Sequence, residues 1–196
     1  IDLAANHWTL PAYRNAEEEK AVYRCFDTVA CVSRNVRESL LELMGPLQDA
    51  RVVYNPVDVP RIRDKAVEYV PERPDGKVLF CASGRLVPQK GFDRLVTACR
   101  YLAQEGFSFH LWILGEGPER ETLEAMIKEG NLQDRITLLG HRENPYPYVK
   151  AADWLVCSSR SEGYSTVISE SLILGTPVTA TLCSGVPEQL RDGEFG

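Results

Sequence analysis

The sequence has no apolar run close to the roughly eighteen residues that a membrane-spanning helix requires. It has no signal-peptide pattern and no N-x-[ST] sequon, and its first residue is Ile1 rather than methionine. Nothing therefore indicates secretion, and the start reads as the middle of a longer chain. We expect a cytoplasmic protein that is truncated at its amino terminus.

Residues that bind metals are scarce. The chain has three histidines without ligand spacing, no D-x-D motif, and six cysteines without a C-x-x-C pair or a zinc spacing. We predict no metal site and no cofactor, and we expect buried free thiols, as in a reducing compartment. The formal net charge of −6 argues against nucleic acid as a partner.

Apolar strands and amphipathic helices alternate from residue 77 onward. The run 78–83 is apolar or small throughout, as in a parallel strand that is covered on both faces. Regular alternation with short connections predicts a Rossmann-like, doubly wound parallel sheet in the α/β class. The predicted strands are 78–83, 109–114, 136–139, 154–157 and 177–180, and the predicted helices are 92–103, 119–129, 146–152 and 166–174.

The chain before residue 77 divides into two parts. Residues 1–54 have the same kind of alternation, with predicted helices at 17–26 and 34–44 and predicted strands at 28–32 and 51–54. Residues 55–75 are rich in proline and charge, which indicates a linker with one short helix. We therefore predict three ranges, 1–54, 55–75 and 76–196.

Ligands of doubly wound sheets bind beyond the carboxyl ends of the strands, so the loops there are the candidate site. The first loop, from Gly84 to Gly91, contains Arg85 and Lys90 and leads into a helix. Two cations on a glycine-bounded loop suit a diphosphate, because both can form charge-assisted hydrogen bonds. Taken alone, the loop is also compatible with two solvated surface cations.

Two further loops have weaker signals. Gly115-Glu116-Gly117 suggests a dinucleotide fingerprint, but Arg120 occupies the third glycine position and no acidic residue follows at the expected distance. We therefore exclude NAD, and the glycines can simply allow a tight turn. The loop at His141 and Arg142 could contact a nucleobase or could be an ordinary turn.

The loop from Ser158 into the helix at 166 contains two carboxylates, Glu162 and Glu170, with seven residues between them. Carboxylates accept hydrogen bonds from sugar hydroxyls. The amides of Gly163, Tyr164 and Ser165 would be free at the start of the helix and could bind an anion. The alternative is that Glu162 is solvated and Glu170 only complements the helix dipole.

Together these loops resemble the family 4 (group 1) retaining glycosyltransferases of the GT-B fold. The resemblance covers most of the chain from Asn55 onward, and the segment from Tyr23 to Ser33 resembles the end of the family's acceptor-side domain. Ile1-Asp2 resembles the remnant of a His-x-Asp element of that domain. The motifs are G-R-x-x-x-x-K-G at Gly84, G-E-G-P-E at Gly115, L-L-G-H at Leu138, S-E-G-Y-x-x-x-x-x-E at Ser161, Gly175–Val178 and Ser184–Glu188.

The resemblance implies the site residues. Arg85 and Lys90 would bind the donor diphosphate, Glu162 with the amides of 163–165 would hold the sugar, and Glu170 would bind the ribose. His141 and Arg142 would contact the base, beside the glycines of the first two loops. The residues implied in catalysis are Glu162, Arg85 and Lys90, and those implied in substrate binding are Gly84, Arg85, Lys90, Gly115, Gly117, His141, Arg142, Glu162, Gly163, Tyr164, Ser165 and Glu170.

The resemblance also implies a reaction. A sugar would pass from a nucleotide diphosphate sugar, UDP-linked in preference to GDP-linked, to a glycan or lipid-linked acceptor with retention of configuration and without a metal. The range 76–196 would bind the donor, and 1–54 would end an acceptor-side domain whose missing part could contact a membrane's inner face. The expected process is surface polysaccharide synthesis, although a chain truncated at both ends need not turn over. The alternatives are a non-catalytic nucleotide-sugar-binding domain and a GT-B-fold epimerase or phosphorylase.

Overall fold

The computed structural model describes residues 16–47 and 49–195, so the Ile1-Asp2 pair lies outside the described residues. The described chain divides into two compact units. The small unit contains the residues up to Pro56 together with Ser161–Ser165 and Leu182–Glu194. The sheet unit contains Val57–Arg160 and Thr166–Thr181.

The bounds of the elements follow the chain order. The helices are α1 (Ala16–Tyr23), α2 (Arg34–Met44), α3 (Val59–Lys65), α4 (Phe92–Gln104), α5 (Arg120–Glu129), α6 (Tyr146–Ala151), α7 (Thr166–Leu174) and α8 (Val186–Leu190). The strands are β1 (Val29–Cys31), β2 (Ala50–Val52), β3 (Val78–Ser83), β4 (Phe109–Leu114), β5 (Ile136–Gly140), β6 (Trp154–Cys157) and β7 (Val178–Ala180). Short 3₁₀ turns lie at Pro88–Lys90 and Arg191–Gly193.

The small unit contains a parallel pair of strands, β1 and β2, that α2 connects. Ser33 caps α2, because its hydroxyl accepts a hydrogen bond from the Val36 amide at 3.1 Å. Val36, Leu40 and Met44 lie on one face at a spacing of four residues and pack with Cys31 in a buried cluster. This buried face fixes α2 beside the strands.

The sheet unit contains a five-stranded parallel sheet in the order β5-β4-β3-β6-β7. The chain moves outward from β3 to β4 and β5, and then continues on the other side of β3 with β6 and β7. All six residues of β4 are buried, as expected for a strand inside the sheet. The predicted doubly wound parallel sheet is confirmed, and its order changes direction between β3 and β6.

Helices cover both faces of this sheet. Leu111 and Ile113 of β4 point to one face and form a core with residues of α4 and α5, including Val96 and Leu123. Trp112 points to the opposite face, since successive side chains of a strand alternate. Its ring meets the ring of Tyr148 in α6 edge to face, with 5.4 Å between the ring centroids.

Several elements have the predicted bounds, namely α2, β3, β4, β6 and α7. By contrast, α1 ends at Tyr23 rather than at residue 26, because the amides of Cys25 and Phe26 form turn hydrogen bonds. The short helix α8 was not predicted, since it has five residues between Gly185 and a left-handed Arg191. A strand predicted over 51–54 covers Ala50–Val52.

The two units divide the chain differently from the predicted ranges. The predicted linker contains α3, which Asp58 caps and whose Ile62 is buried within the sheet unit. Residues 161–165 and 182–194 group with the small unit although they follow the predicted boundary at 75. The assignment of residues 1–54 to an acceptor-side domain stays a prediction.

Candidate functional site

A pocket lies in the sheet unit at the carboxyl ends of three neighbouring strands. Here β3 ends at Ser83, β4 at Leu114 and β5 at Gly140. The pocket encloses about 450 Å³, a volume within the range of small-molecule sites. Its lining residues are Ser83, Gly84, Arg85, Leu114, Gly115, Glu116, His141, Arg142 and Pro145.

The lining unites three of the predicted loops. Arg85 follows β3, Gly115 follows β4, and His141 with Arg142 follows β5. The Arg142 guanidinium lies 5.7 Å from the centre of the Tyr148 ring, a cation–π distance. Glu116 supplies a carboxylate to the same wall, and its Oε1 accepts a hydrogen bond from Arg120 at 2.8 Å. The pocket lining therefore contains two arginines and one carboxylate.

Close backbone packing explains the two glycines of the second loop. A β-carbon at Gly115 would lie 1.9 Å from the carbonyl oxygen of Gly84, and one at Gly117 would lie 2.3 Å from that of Leu86. Two backbone hydrogen bonds also join the first loop to the second. The Gly84 amide donates to Leu114 O at 3.0 Å, and the Leu86 amide donates to Glu116 O at 2.9 Å. Gly117 therefore supports the loop that bears Arg85 and is not among the residues that line the pocket.

Lys90 belongs to the 3₁₀ turn at Pro88–Lys90, and its side chain runs back along the first loop. A β-carbon built at Gly84 would lie 3.5 Å from Lys90 Cε. At this distance the lysine side chain would be in ordinary van der Waals contact with such a carbon, so it lies directly beside Gly84, a residue of the pocket wall. Lys90 and Arg85 thus lie on one loop, and their role in binding a diphosphate stays a prediction.

Glu170 lies in α7 and is half-buried in the sheet unit. The Tyr146 hydroxyl at the start of α6 donates a long hydrogen bond to Glu170 Oε1 at 3.4 Å. Burial raises the pKa of the Glu170 carboxyl, and the bond from Tyr146 offsets part of this shift. Tyr146 directly follows Pro145, a residue of the pocket wall. The sequence pattern did not predict the contact between Tyr146 and Glu170.

The loop with Glu162 groups with the small unit, where Glu162 is 7% exposed. A β-carbon at Gly163 would lie 3.2 Å from a Val32 methyl, and the Tyr164 ring centroid is 5.3 Å from that of Tyr54. The Ser165 amide donates a hydrogen bond at 2.8 Å to the side-chain oxygen of Gln189, a bond made within this unit.

That bond corrects one prediction. The Ser165 amide was expected to be free for an anion, but it is already used by Gln189 of α8. Sequence reasoning missed Gln189 because α8 lies 24 residues along the chain, and no local pattern links the two positions.

Among the described residues, no group of three or more His, Cys, Asp or Glu side chains could hold a metal ion. In the same part of the chain, no helix is long and apolar enough to cross a membrane. The six cysteines form no disulfide, and Cys31, Cys81 and Cys99 are buried, whereas Cys25 is exposed.

The sheet order and the helices on both faces define an α/β protein, and the chain matches solved structures of the GT-B glycosyltransferase fold. The crystal structure of HepE from Anabaena in complex with UDP and glucose superposes with a TM-score of 0.78 at 20% identity, covering 96% of this chain and 53% of HepE. The structure of S. aureus TarM superposes with a TM-score of 0.76 at 19% identity, covering 96% of this chain and 36% of TarM.

The sequence itself gives the family. Residues 65–196 match the glycosyl transferases group 1 family, and the chain belongs to it. It is 31% identical over 175 residues to the lipopolysaccharide core biosynthesis glycosyltransferase LpsE of Rhizobium meliloti. The aligned region covers 89% of this chain and 49% of LpsE. It is also 36% identical over 146 residues to a Campylobacter jejuni 4-alpha-N-acetylgalactosaminyltransferase, covering 74% of this chain and 38% of the relative. The chain spans half or less of the length of these relatives.

Proposed function

We propose that this chain supplies the donor-binding part of a retaining glycosyltransferase. The donor is a nucleoside diphosphate sugar, with UDP as the nucleotide, and the acceptor is a glycan or a lipid-linked saccharide. The product belongs to a surface polysaccharide. Family membership supports the reaction class, and the named roles of LpsE and of the C. jejuni enzyme support the process.

One observation is the main support for donor binding. Arg85, His141 and Arg142 line one pocket with the glycine backbone of two loops, and Lys90 lies beside it. Cationic side chains with accessible backbone suit a diphosphate, and they would stabilise the charge that develops on it as the sugar leaves. In this proposal Arg85 and Lys90 supply that charge without a metal.

The other roles follow from the family resemblance. His141 and Arg142 contact the base, Glu170 accepts from the ribose hydroxyls, and Glu162 accepts from the sugar hydroxyls. The half-buried position of Glu170 suits this role, because a carboxylate with little water around it gains from hydroxyl donors. Ser165 is left out, since its amide is bonded to Gln189.

Calorimetric titration of the chain with UDP, GDP and NAD tests the proposal. We expect saturable binding of UDP, weaker binding of GDP and no binding of NAD. Lys90→Ala should weaken UDP binding by about tenfold or more, as expected for the loss of a hydrogen bond to a charged group. Lys128→Ala is the matched control, because Lys128 lies exposed in the last turn of α5.

Two results would refute the proposal. A folded chain that binds none of the three nucleotides is not a donor-binding domain. Binding of UDP that Lys90→Ala and Arg85→Ala both leave unchanged would place the nucleotide outside the pocket described above. Product analysis with the full-length protein and a UDP-sugar panel then tests transfer and retention.

A further inference from the structure

Three consecutive carbonyl groups of the turn that bears Lys90 accept hydrogen bonds from the loop after β6. Pro88 O accepts from Arg160 Nη1 at 2.7 Å, and Gln89 O accepts from the Arg160 amide at 2.7 Å. Lys90 O accepts from the Ser158 hydroxyl at 3.0 Å. A 3₁₀ turn of three residues has few hydrogen bonds of its own, so these external donors fix its shape.

The Arg160 guanidinium extends this connection into the helix that follows. It forms a bidentate pair with Asp93 in the first turn of α4, at 2.7 Å to Oδ1 and 2.6 Å to Oδ2. Hydrogen bonding from Arg160 lowers the pKa of the Asp93 carboxyl. Fork-to-fork geometry makes such pairs more rigid than ordinary surface ion pairs. Arg160 thus binds both the start of the Lys90 turn and the helix beyond it.

Gly91 allows the two segments to come this close. Its φ is +64°, and a β-carbon there would lie 2.2 Å from the carbonyl oxygen of Ser158. Any larger residue would therefore push the Lys90 turn away from the loop after β6. The close contact and the hydrogen bonds of Arg160 are two independent features that hold the same turn.

We propose that Arg160 is a positioning residue that acts on the nucleotide through Lys90. All its hydrogen bonds given above end on residues 88–93, the segment that presents the lysine. Without the guanidinium, the turn keeps the bonds of the Arg160 amide and the Ser158 hydroxyl but loses its link to Pro88 and Asp93. The inference rests on the proposed binding of a diphosphate by Lys90.

The test is a double-mutant cycle on UDP affinity, measured by calorimetry with the whole chain. Arg160→Gln should weaken UDP binding by about tenfold. This is less than the full effect of losing a hydrogen bond to a charged group, because Lys90 itself is still present. In a chain that already has Lys90→Ala, the same Arg160→Gln change should alter the affinity less than twofold, because the group it positions is gone. Equal effects in both backgrounds would overturn the inference.

Asp93→Asn distinguishes a role of Arg160 in positioning the Lys90 turn from a direct effect of its positive charge on the nucleotide. This variant keeps the positive charge of Arg160 but weakens its anchor, so UDP binding should fall if Arg160 positions the turn. If Arg160 acted only as a nearby cation, the removal of a negative charge would instead strengthen UDP binding. Stronger binding by Asp93→Asn would therefore contradict the inference.

Arg73→Gln is the matched control. Arg73 also donates to a backbone carbonyl, that of Ala151 at 2.8 Å, and also pairs with an aspartate, Asp153. These contacts lie before β6, at the amino edge of the sheet, so their loss should leave UDP affinity unchanged. If the unmodified chain binds no UDP, the proposed function fails. If it binds UDP and Lys90→Ala weakens binding but Arg160→Gln does not, only the present inference fails.

Discussion

Gln189 and Ser165 form a reciprocal pair of hydrogen bonds. The Ser165 amide donates to Gln189 Oε1 at 2.8 Å, and Gln189 Nε2 donates to the Ser165 carbonyl at 2.8 Å. Both residues are buried, so water does not replace either bond. A single side-chain amide therefore satisfies both backbone groups of one residue in the loop that bears Glu162.

The first prediction concerns this pair. Gln189→Leu has a similar volume but neither donor nor acceptor, so it leaves two buried backbone groups without partners. We expect the free energy of unfolding to fall by about 2–4 kcal/mol, since each unsatisfied group costs about 1–3 kcal/mol. Urea denaturation measures the change.

Gln133→Leu provides the control, because Gln133 is exposed on the turn after α5. It should change the free energy of unfolding by less than about 0.5 kcal/mol. If Gln189→Leu is as stable as the control variant, the pair does not hold the loop.

Much of the sheet unit could be predicted, because strands such as β4 and helices such as α7 have local apolar patterns. The pocket could also be located, since the carboxyl ends of parallel strands share one edge. The contacts of Arg160 with Asp93 and of Gln189 with Ser165 could not. They join positions 67 and 24 residues apart, and no local pattern says which polar groups meet after folding.

The second prediction concerns Gly115. Its φ is +136°, and an alanine there would also place its β-carbon 1.9 Å from the Gly84 carbonyl oxygen. Because backbone atoms would have to move, Gly115→Ala should lower the free energy of unfolding by about 3 kcal/mol or more and should weaken UDP binding. Thermal unfolding and calorimetry report the two effects.

Gly106→Ala is the control that distinguishes backbone strain at positive φ from the steric clash with the Gly84 carbonyl. Gly106 has a φ of +79°, but a β-carbon there would meet nothing within 4 Å. It should cost only about 1 kcal/mol of conformational strain and leave UDP binding intact. Similar losses in the two variants would mean that the contact with Gly84 is unimportant.

The third prediction concerns Glu162. If its carboxylate accepts from sugar hydroxyls, Glu162→Gln should weaken binding of UDP-glucose by about tenfold. Binding of UDP, which has no sugar beyond the ribose, should change less than twofold. Parallel calorimetric titrations give the ratio of the two affinities, and a ratio equal to that of the unmodified chain would exclude the proposed role.

The fourth prediction uses the pKa of Glu170, which burial raises above its ordinary value of 4.5. In the unfolded chain this carboxyl loses its proton near the ordinary value, whereas the folded chain keeps the proton to higher pH. The stability of the unmodified protein therefore falls as the pH rises through the folded-state pKa. Glu170→Gln removes this titration and keeps an oxygen that accepts from Tyr146.

The variant should accordingly be more stable than the unmodified chain at neutral pH, and the difference should vanish below pH 4.5. If Glu170 accepts from the ribose hydroxyls as proposed, the variant should also bind UDP about tenfold more weakly, because a neutral amide is a poorer acceptor. Urea denaturation at several pH values and calorimetry with UDP measure the two effects, with the exposed Glu129→Gln of α5 as control. A stability difference that stays constant with pH would show that burial does not penalise the Glu170 carboxylate. Unchanged UDP affinity would remove Glu170 from the nucleotide site.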